Sequence, residues 1–152
     1  LQYHTKMINS GRYVNDSMGR YIGKKVVKKI ISQGKNILGA HVLVMGMTFK
    51  ENVSDIRNSK VADIINEFKD FGAEVDVMDP FASPLEVLQE YGIRLVERPG
   101  KKYDAVVVAV AHTTYLKLDE SYFMSITNEH AVLADVKGVY RGSIHQMIYW
   151  SL

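Results

Sequence analysis

Residues 45 to 60, MGMTFKENVSDIRNSK, crowd Lys50, Glu51, Asp55 and Arg57 into a short stretch behind an apolar run. Gly46 follows the run directly. In α/β proteins phosphates are held at that place, because free backbone N–H groups and a following helix N-terminus both favour anions. The G-x-G-x-x-G spacing of a dinucleotide loop is absent, however, since Met45-Gly46-Met47-Thr48-Phe49-Lys50 has a single glycine. About a dozen residues separate Gly46 from a helix start at Ser59, too far for that helix to meet a pyrophosphate in the standard way. The stretch offers cations instead. Lys50 and Arg57 suit a phosphate or carboxylate. Lys50 is also readable as an ordinary rim cation, and Asp55 with Arg57 as a pair that braces the loop.

Further groups stand behind other apolar runs. Asp79, before Pro80, occupies the place of a ribose-binding acid, or it simply ends a strand. His112, followed by Thr113 and Thr114, has the chemistry of an acid or base, although the sequence shows it no partner. Asp135-Val136-Lys137-Gly138 places another cation behind the last clear apolar run. In an open parallel sheet the carboxyl ends of the strands form the binding edge, so these lysines, acids, hydroxyls and the histidine are expected on one rim.

The elements that must position them follow from periodicity. Residues 3 to 33 carry Met7, Val14, Met18, Tyr21, Ile22, Val26, Ile30 and Ile31 at three-four spacing, which predicts a long amphipathic helix. Gly11, Gly19 and Gly23 cost such a helix roughly 1 kcal/mol each against Ala, which makes sense if another helix packs closely. Lys24, Lys25, Lys28 and Lys29 read as its solvated face. HVLVMGM is a buried strand. SKVADIINEFKDFG is a helix with Val61, Ile64, Ile65, Phe68 and Phe71 inward and Gly72 at its end. AEVDVMDP is a strand stopped by Pro80. SPLEVLQEYG is a helix capped by Ser83, with Pro84 in its first turn and Gly92 beyond its last. YDAVVVAVAH and HAVLADVKG are strands, with a short helix within TYLKLDESYFMSI between them. RGSIHQMIYWSL, residues 141 to 152, is left open between a closing helix and a tail. Alternation of helices with continuously apolar strands predicts an α/β fold, a Rossmann-like parallel sheet with helices on both faces, preceded by the long helix.

Composition narrows the function classes. The 152 residues are 47% hydrophobic and 24% charged with a formal net charge of +2, which is ordinary for a soluble domain and too weak a balance to imply nucleic acid. There is no cysteine, which excludes disulfides, thiolate metal sites and a cysteine nucleophile within these residues. His4, His41, His112, His130 and His145 show no metal-ligand spacing. No apolar run approaches the ~20 residues of a membrane span. The opening LQYHTKMINS has no signal-peptide pattern, so the expectation is a cytoplasmic protein, and part of a longer one.

The pattern G-x-x-F-K followed by D-x-R-x-S, here Gly46 to Lys50 and Asp55-Ile56-Arg57-Asn58-Ser59, resembles the C-terminal domain of the UDP-glucose/GDP-mannose dehydrogenase family. Val77-Met78-Asp79-Pro80 and Gly11-Arg12-Tyr13-Val14-Asn15-Asp16 match the family in the right order. The resemblance implies an enzyme that oxidises C6 of a nucleotide sugar from alcohol to acid with two NAD per turnover. It implies an N-terminal NAD-binding domain and a cysteine nucleophile, both outside this chain. Residues 1–33 would be the C-terminal part of a central dimerisation helix, giving a homodimer, and residues 34–152 a UDP-sugar-binding domain. By the same resemblance Phe49 and Lys50 contact the UDP-sugar and Arg57 reaches NAD held by the other domain. Lys137 contacts substrate where many relatives carry Arg, and lysine lacks the bidentate fork. Asp135-Val136-Lys137-Gly138 resembles the branch acting on UDP-N-acetylhexosamines. The fragment is expected to be inactive alone. The alternative is a stand-alone nucleotide-binding or regulatory module without redox chemistry.

Overall fold

The computed structural model describes residues 2–152, with side chains from Ser17 onward. The expectations for Met7, Gly11, Val14, Asn15 and Asp16 therefore lie outside the described side chains. A long helix, α1 (Gln2–Ser32), precedes the sheet. Strands β1 (His41–Met45), β2 (Glu74–Met78), β3 (Tyr103–Val108), β4 (Thr127–Asp135) and β5 (Ile148–Ser151) pair in the order β2-β1-β3-β4-β5, all parallel. Helix α2 (Val61–Asp70) joins β1 to β2, and α3 (Pro84–Tyr91) follows β2. A short 3-10 helix (Thr113–Lys117) and α4 (Glu120–Ser125) lie between β3 and β4.

Alternate residues of the buried strands feed two cores, as the period of a strand requires. Val42, Val44, Ala105, Val107, Val132 and Ala134 face one side, where they meet Ile22, Val26 and Ile30 of α1 and Ile64, Ile65 and Phe68 of α2. Leu43, Met45, Val106, Val108 and Leu133 face the other, under Tyr115, Phe123 and Tyr140. The sheet is covered on both faces, as its unbroken apolar strands predicted.

Helix limits follow local chemistry. Ser83 caps α3, its hydroxyl accepting from the Glu86 N–H at 3.3 Å, and Gly92 closes it at φ 68°. Gly72 (φ 88°) follows α2, whose last residue is Asp70. Phe71 therefore falls past the apolar face and is exposed, contrary to the predicted stripe. In α1, Tyr21 and Ile31 likewise point outward, and the buried stripe is Ile22, Val26, Val27 and Ile30. For Gly19 and Gly23 the close helix partner is α2 of the same chain. A Cβ on Gly19 would stand 2.7 Å from Asp63 Cβ and 2.8 Å from the Lys60 carbonyl oxygen, and one on Gly23 would stand 2.8 Å from Glu67 Cβ. The terminal segment is neither helix nor tail but the edge strand β5, with Trp150 and Ile148 against one core and Tyr149 and Met147 against the other.

Candidate functional site

The chain leaves β1 towards β2 and leaves β3 in the opposite direction towards β4. Crossovers of opposite direction cover opposite faces, so the connections part at the carboxyl ends of β1 and β3. Such a switch point is where open α/β sheets bind ligands. Gly46 sits there at φ 99°, and a Cβ on it would stand 2.6 Å from Val110 Cβ and 2.8 Å from the Val110 nitrogen. The glycine serves close contact between two strand ends, and that contact leaves no gap beside it for a pyrophosphate.

The ligand-sized space is adjacent. A cavity of about 240 Å³ lies between α1, the first turn of α2 and the ends of β3 and β4, and Phe49, Lys50 and Lys137 all line it. The long loop does not keep α2 away from it. The Phe49 N–H donates to the Asp55 carbonyl at 2.7 Å, which folds the loop back on itself. Lys60 and Val61, at the start of α2, consequently stand in the cavity wall. Separation along the chain was the wrong measure of distance in space. Phe49 is 55% exposed and Lys50 and Lys137 are exposed, and neither of these lysines has an ion-pair partner among the described residues. Their two ammonium groups stand in the cavity wall near a helix N-terminus, beside the Glu51 carboxylate, and can meet a phosphate.

The acids and the histidine, expected on the same rim, turn inward. The Asp79 carboxylate has no exposed surface. Its Oδ2 accepts from the N–H groups of Met47 at 2.6 Å and Thr48 at 3.1 Å, and Oδ1 from those of Phe81 at 2.7 Å and Ala82 at 3.1 Å. Burial pushes its pKa up, but these hydrogen bonds and that from His112 outweigh burial and hold it below the ordinary aspartate value. Asp135 fastens the Lys137 turn by its hydrogen bonds. It is fully buried and accepts from the Val139 N–H at 3.1 Å, the Tyr140 N–H at 2.7 Å and the Tyr149 hydroxyl at 2.6 Å. Lys50 and Lys137 thus each ride on a loop fastened to a buried aspartate at a strand end. His112 is also fully buried and does not line the cavity. That position does not suit it to exchange a proton with a ligand there.

Arg57 stands apart from the cavity, over a shallow cleft it shares with Glu86 and Glu90. Its Nε and Nη2 donate to Asp55 at 3.1 and 3.0 Å, and its backbone N–H to the same carboxylate at 2.9 Å. The side-chain hydrogen bonds from Arg57, then its backbone N–H, take the Asp55 pKa from 3.8 down to about 2. The pair braces the loop, yet the guanidinium side chain remains 82% exposed, free to meet a group from outside the domain. Among the described residues no cluster of His, Cys, Asp or Glu is arranged to hold a metal ion, and no helix is long and apolar enough to cross a membrane.

The UDP binding domain model of the UDP-glucose/GDP-mannose dehydrogenase family matches residues 43–142, from β1 through the Lys137 turn. The chain belongs to that family. It is 39% identical over 138 residues to a UDP-N-acetyl-D-glucosamine 6-dehydrogenase of Pseudomonas aeruginosa and 38% identical over 140 residues to one of Salmonella typhi. The matches cover 90% and 91% of this chain and 33% of each relative. The solved UDP-N-acetyl-mannosamine dehydrogenase Cap5O of Staphylococcus aureus superposes with a TM-score of 0.77 at 25% identity, over 99% of this chain and 34% of that one. The chain thus spans about a third of the length of these relatives. What sequence reasoning missed is the fastening of the UDP binding domain: Asn52, Tyr149 and the inward roles of Asp79 and Asp135. Only the acids left a signal, each ending an apolar run.

Proposed function

We propose that this chain is the UDP-sugar-binding domain of an NAD-dependent nucleotide-sugar 6-dehydrogenase, in which Lys50 and Lys137 hold the diphosphate and Phe49 lies against the nucleotide sugar. The observation that carries the reading is convergence. Three residues drawn from loops behind β1 and β4 line one cavity at the switch point of the sheet. The substrate is a UDP-N-acetylhexosamine, in keeping with the relatives reported above, with UDP-glucose as the competitor. The product is the corresponding C6 acid, a precursor for polysaccharide synthesis.

NAD supplies the oxidising power for the C6 alcohol, and a neighbouring domain holds it. The residues present fit only a peripheral part in that, since Gly46 is closed by Val110, while Arg57 turns an exposed guanidinium outward. Arg57 is proposed to reach the dinucleotide across the domain boundary. With no cysteine among these residues, the nucleophile that traps the intermediate aldehyde comes from elsewhere in the protein. Residues 1–33 are proposed as the end of a central helix that dimerises, and the protein as cytoplasmic.

The test is NAD reduction by the full-length protein across UDP-N-acetylglucosamine, UDP-N-acetylgalactosamine, UDP-N-acetylmannosamine and UDP-glucose. Turnover with an N-acetylhexosamine substrate and none by the 152-residue chain alone is expected. NAD reduction by the isolated chain would overturn the proposal.

A further inference from the structure

Residues 46 to 60 form no regular helix or strand, so their backbone N–H groups need acceptors from elsewhere. One buried pair, His112 and Asp79, supplies three of them. The Asn52 N–H donates to Nδ1 of His112 at 3.0 Å. An accepting ring nitrogen carries no proton, so the proton is on Nε2. Nε2 faces Asp79 Oδ2 at 2.9 Å and Thr48 Oγ1 at 3.3 Å. The same Asp79 oxygen takes the N–H groups of Met47 and Thr48. The Thr48 hydroxyl gives its own proton to the Lys50 carbonyl at 2.9 Å. Asn52, in the left-handed region at φ 60°, is locked by a reciprocal amide pairing with Thr113, at 2.7 and 2.9 Å. The backbone of Phe49 and Lys50 is therefore held before, within and after those residues.

We propose that His112, in its Nε2–H tautomer on Asp79, is the positioning residue that sets Lys50 for the nucleotide sugar. The inference rests on the reading of Lys50 as a substrate cation. A lysine has a long flexible stem, and the direction in which its ammonium reaches is fixed at the backbone. A loop free to shift by about 1 Å loses much of the benefit of a placed charge. His112 does this without touching the ligand. It spans the loop behind β1, the acid behind β2 and the end of β3.

The test is steady-state kinetics of the full-length protein carrying His112→Phe, His112→Asn and His112→Gln, with Lys50→Ala and the Lys50→Ala/His112→Phe double variant. Phenylalanine fills the space between Phe81 and Tyr115, whose rings lie 4.7 and 5.5 Å from the imidazole. Asparagine keeps an acceptor at the place of Nδ1, and glutamine a donor at the place of Nε2. His112→Phe is expected to raise the KM for the nucleotide sugar by about tenfold while the KM for NAD stays within about twofold. His112→Asn should recover most of the loss, because it keeps the bond to Asn52. The double variant should be no worse than Lys50→Ala, since a residue that acts through Lys50 has nothing left to lose without it. Additive losses in the double variant, or a rise in both KM values alike, would overturn the proposal. If His112→Phe does not fold, His112→Gln, which loses the acceptor for the Asn52 N–H, decides by the same ratio of KM values. A 15N spectrum of the wild-type ring with the proton on Nδ1 would also overturn it. Should Lys50→Ala leave the KM unchanged, the substrate-site reading itself fails. Should Lys50→Ala raise it while folded His112→Phe or His112→Gln does not, only the positioning role fails.

Discussion

The hydroxyl of Tyr149 donates to Oδ2 of Asp135 across 2.6 Å, tying the edge strand β5 to the turn that carries Lys137. Desolvation, and then that hydrogen bond, push the phenol up to about 12. Tyr149→Phe removes one bond to a buried carboxylate and leaves the ring. It should cost about 1.5–3 kcal/mol, in line with hydrogen bonds to charged groups. Thermal unfolding measures that cost. UDP-sugar affinity should fall with it, because the Lys137 turn loses a fastening.

Asp55 gives a pH-resolved prediction. Its pKa in the folded chain is about 2 against an ordinary 3.8, with the Arg57 hydrogen bonds as the main cause. A depressed carboxylate contributes stability that is present above the unfolded value and lost as pH falls through the folded one. The Asp55–Arg57 brace should therefore hold at pH 5 and open between about 3.8 and about 2. A carboxyl 13C titration should place the wild-type midpoint near 2, and Arg57→Gln should return it towards 3.8.

Gly19 tests the α1–α2 contact. Gly19→Ala would set a methyl 2.8 Å from the Lys60 carbonyl oxygen, which belongs to backbone and cannot swing aside. The helices must part, at a cost of about 1–3 kcal/mol by comparison with overpacked cores. Because Gly19 and Lys60 both stand in the cavity wall, UDP-sugar affinity should change along with the melting temperature.

Gly46→Ala should be more severe. The residue lies at φ 99°, and the added methyl would meet both the side chain and the nitrogen of Val110. Strain and clash together should exceed about 3 kcal/mol and abolish a cooperative unfolding transition.

The sequence carried the signals that are local. Ser83, Pro84 and Gly92 mark both ends of α3 within a few residues of each other, and the strands behind Gly39 and Tyr103 are continuous apolar runs, so these elements were legible. Lys50 and Lys137 were legible as rim cations behind strands, while Phe49 and the contacts proposed for all three came only through resemblance. The edge strand β5 was not legible. Its four residues are all half-buried, and it forms only because β4 offers a free edge. Nor was the inward turn of His112 and Asp79, whose hydrogen bonds join residues 33 apart in the chain. The outward turn of Phe71 depends on α2 ending one residue before it, a boundary that periodicity alone does not fix.

The account turns on whether Lys50 and Lys137 hold a diphosphate. The most direct measurement is calorimetric titration of UDP into the full-length protein, wild type against Lys50→Ala and Lys137→Ala, with NAD titrated separately into each. The account predicts that either substitution weakens UDP by about 10- to 100-fold, the loss of one charge-assisted contact of roughly 1.5–3 kcal/mol, and leaves NAD affinity unchanged. UDP binding that is indifferent to both lysines, or NAD binding that depends on them, would contradict it.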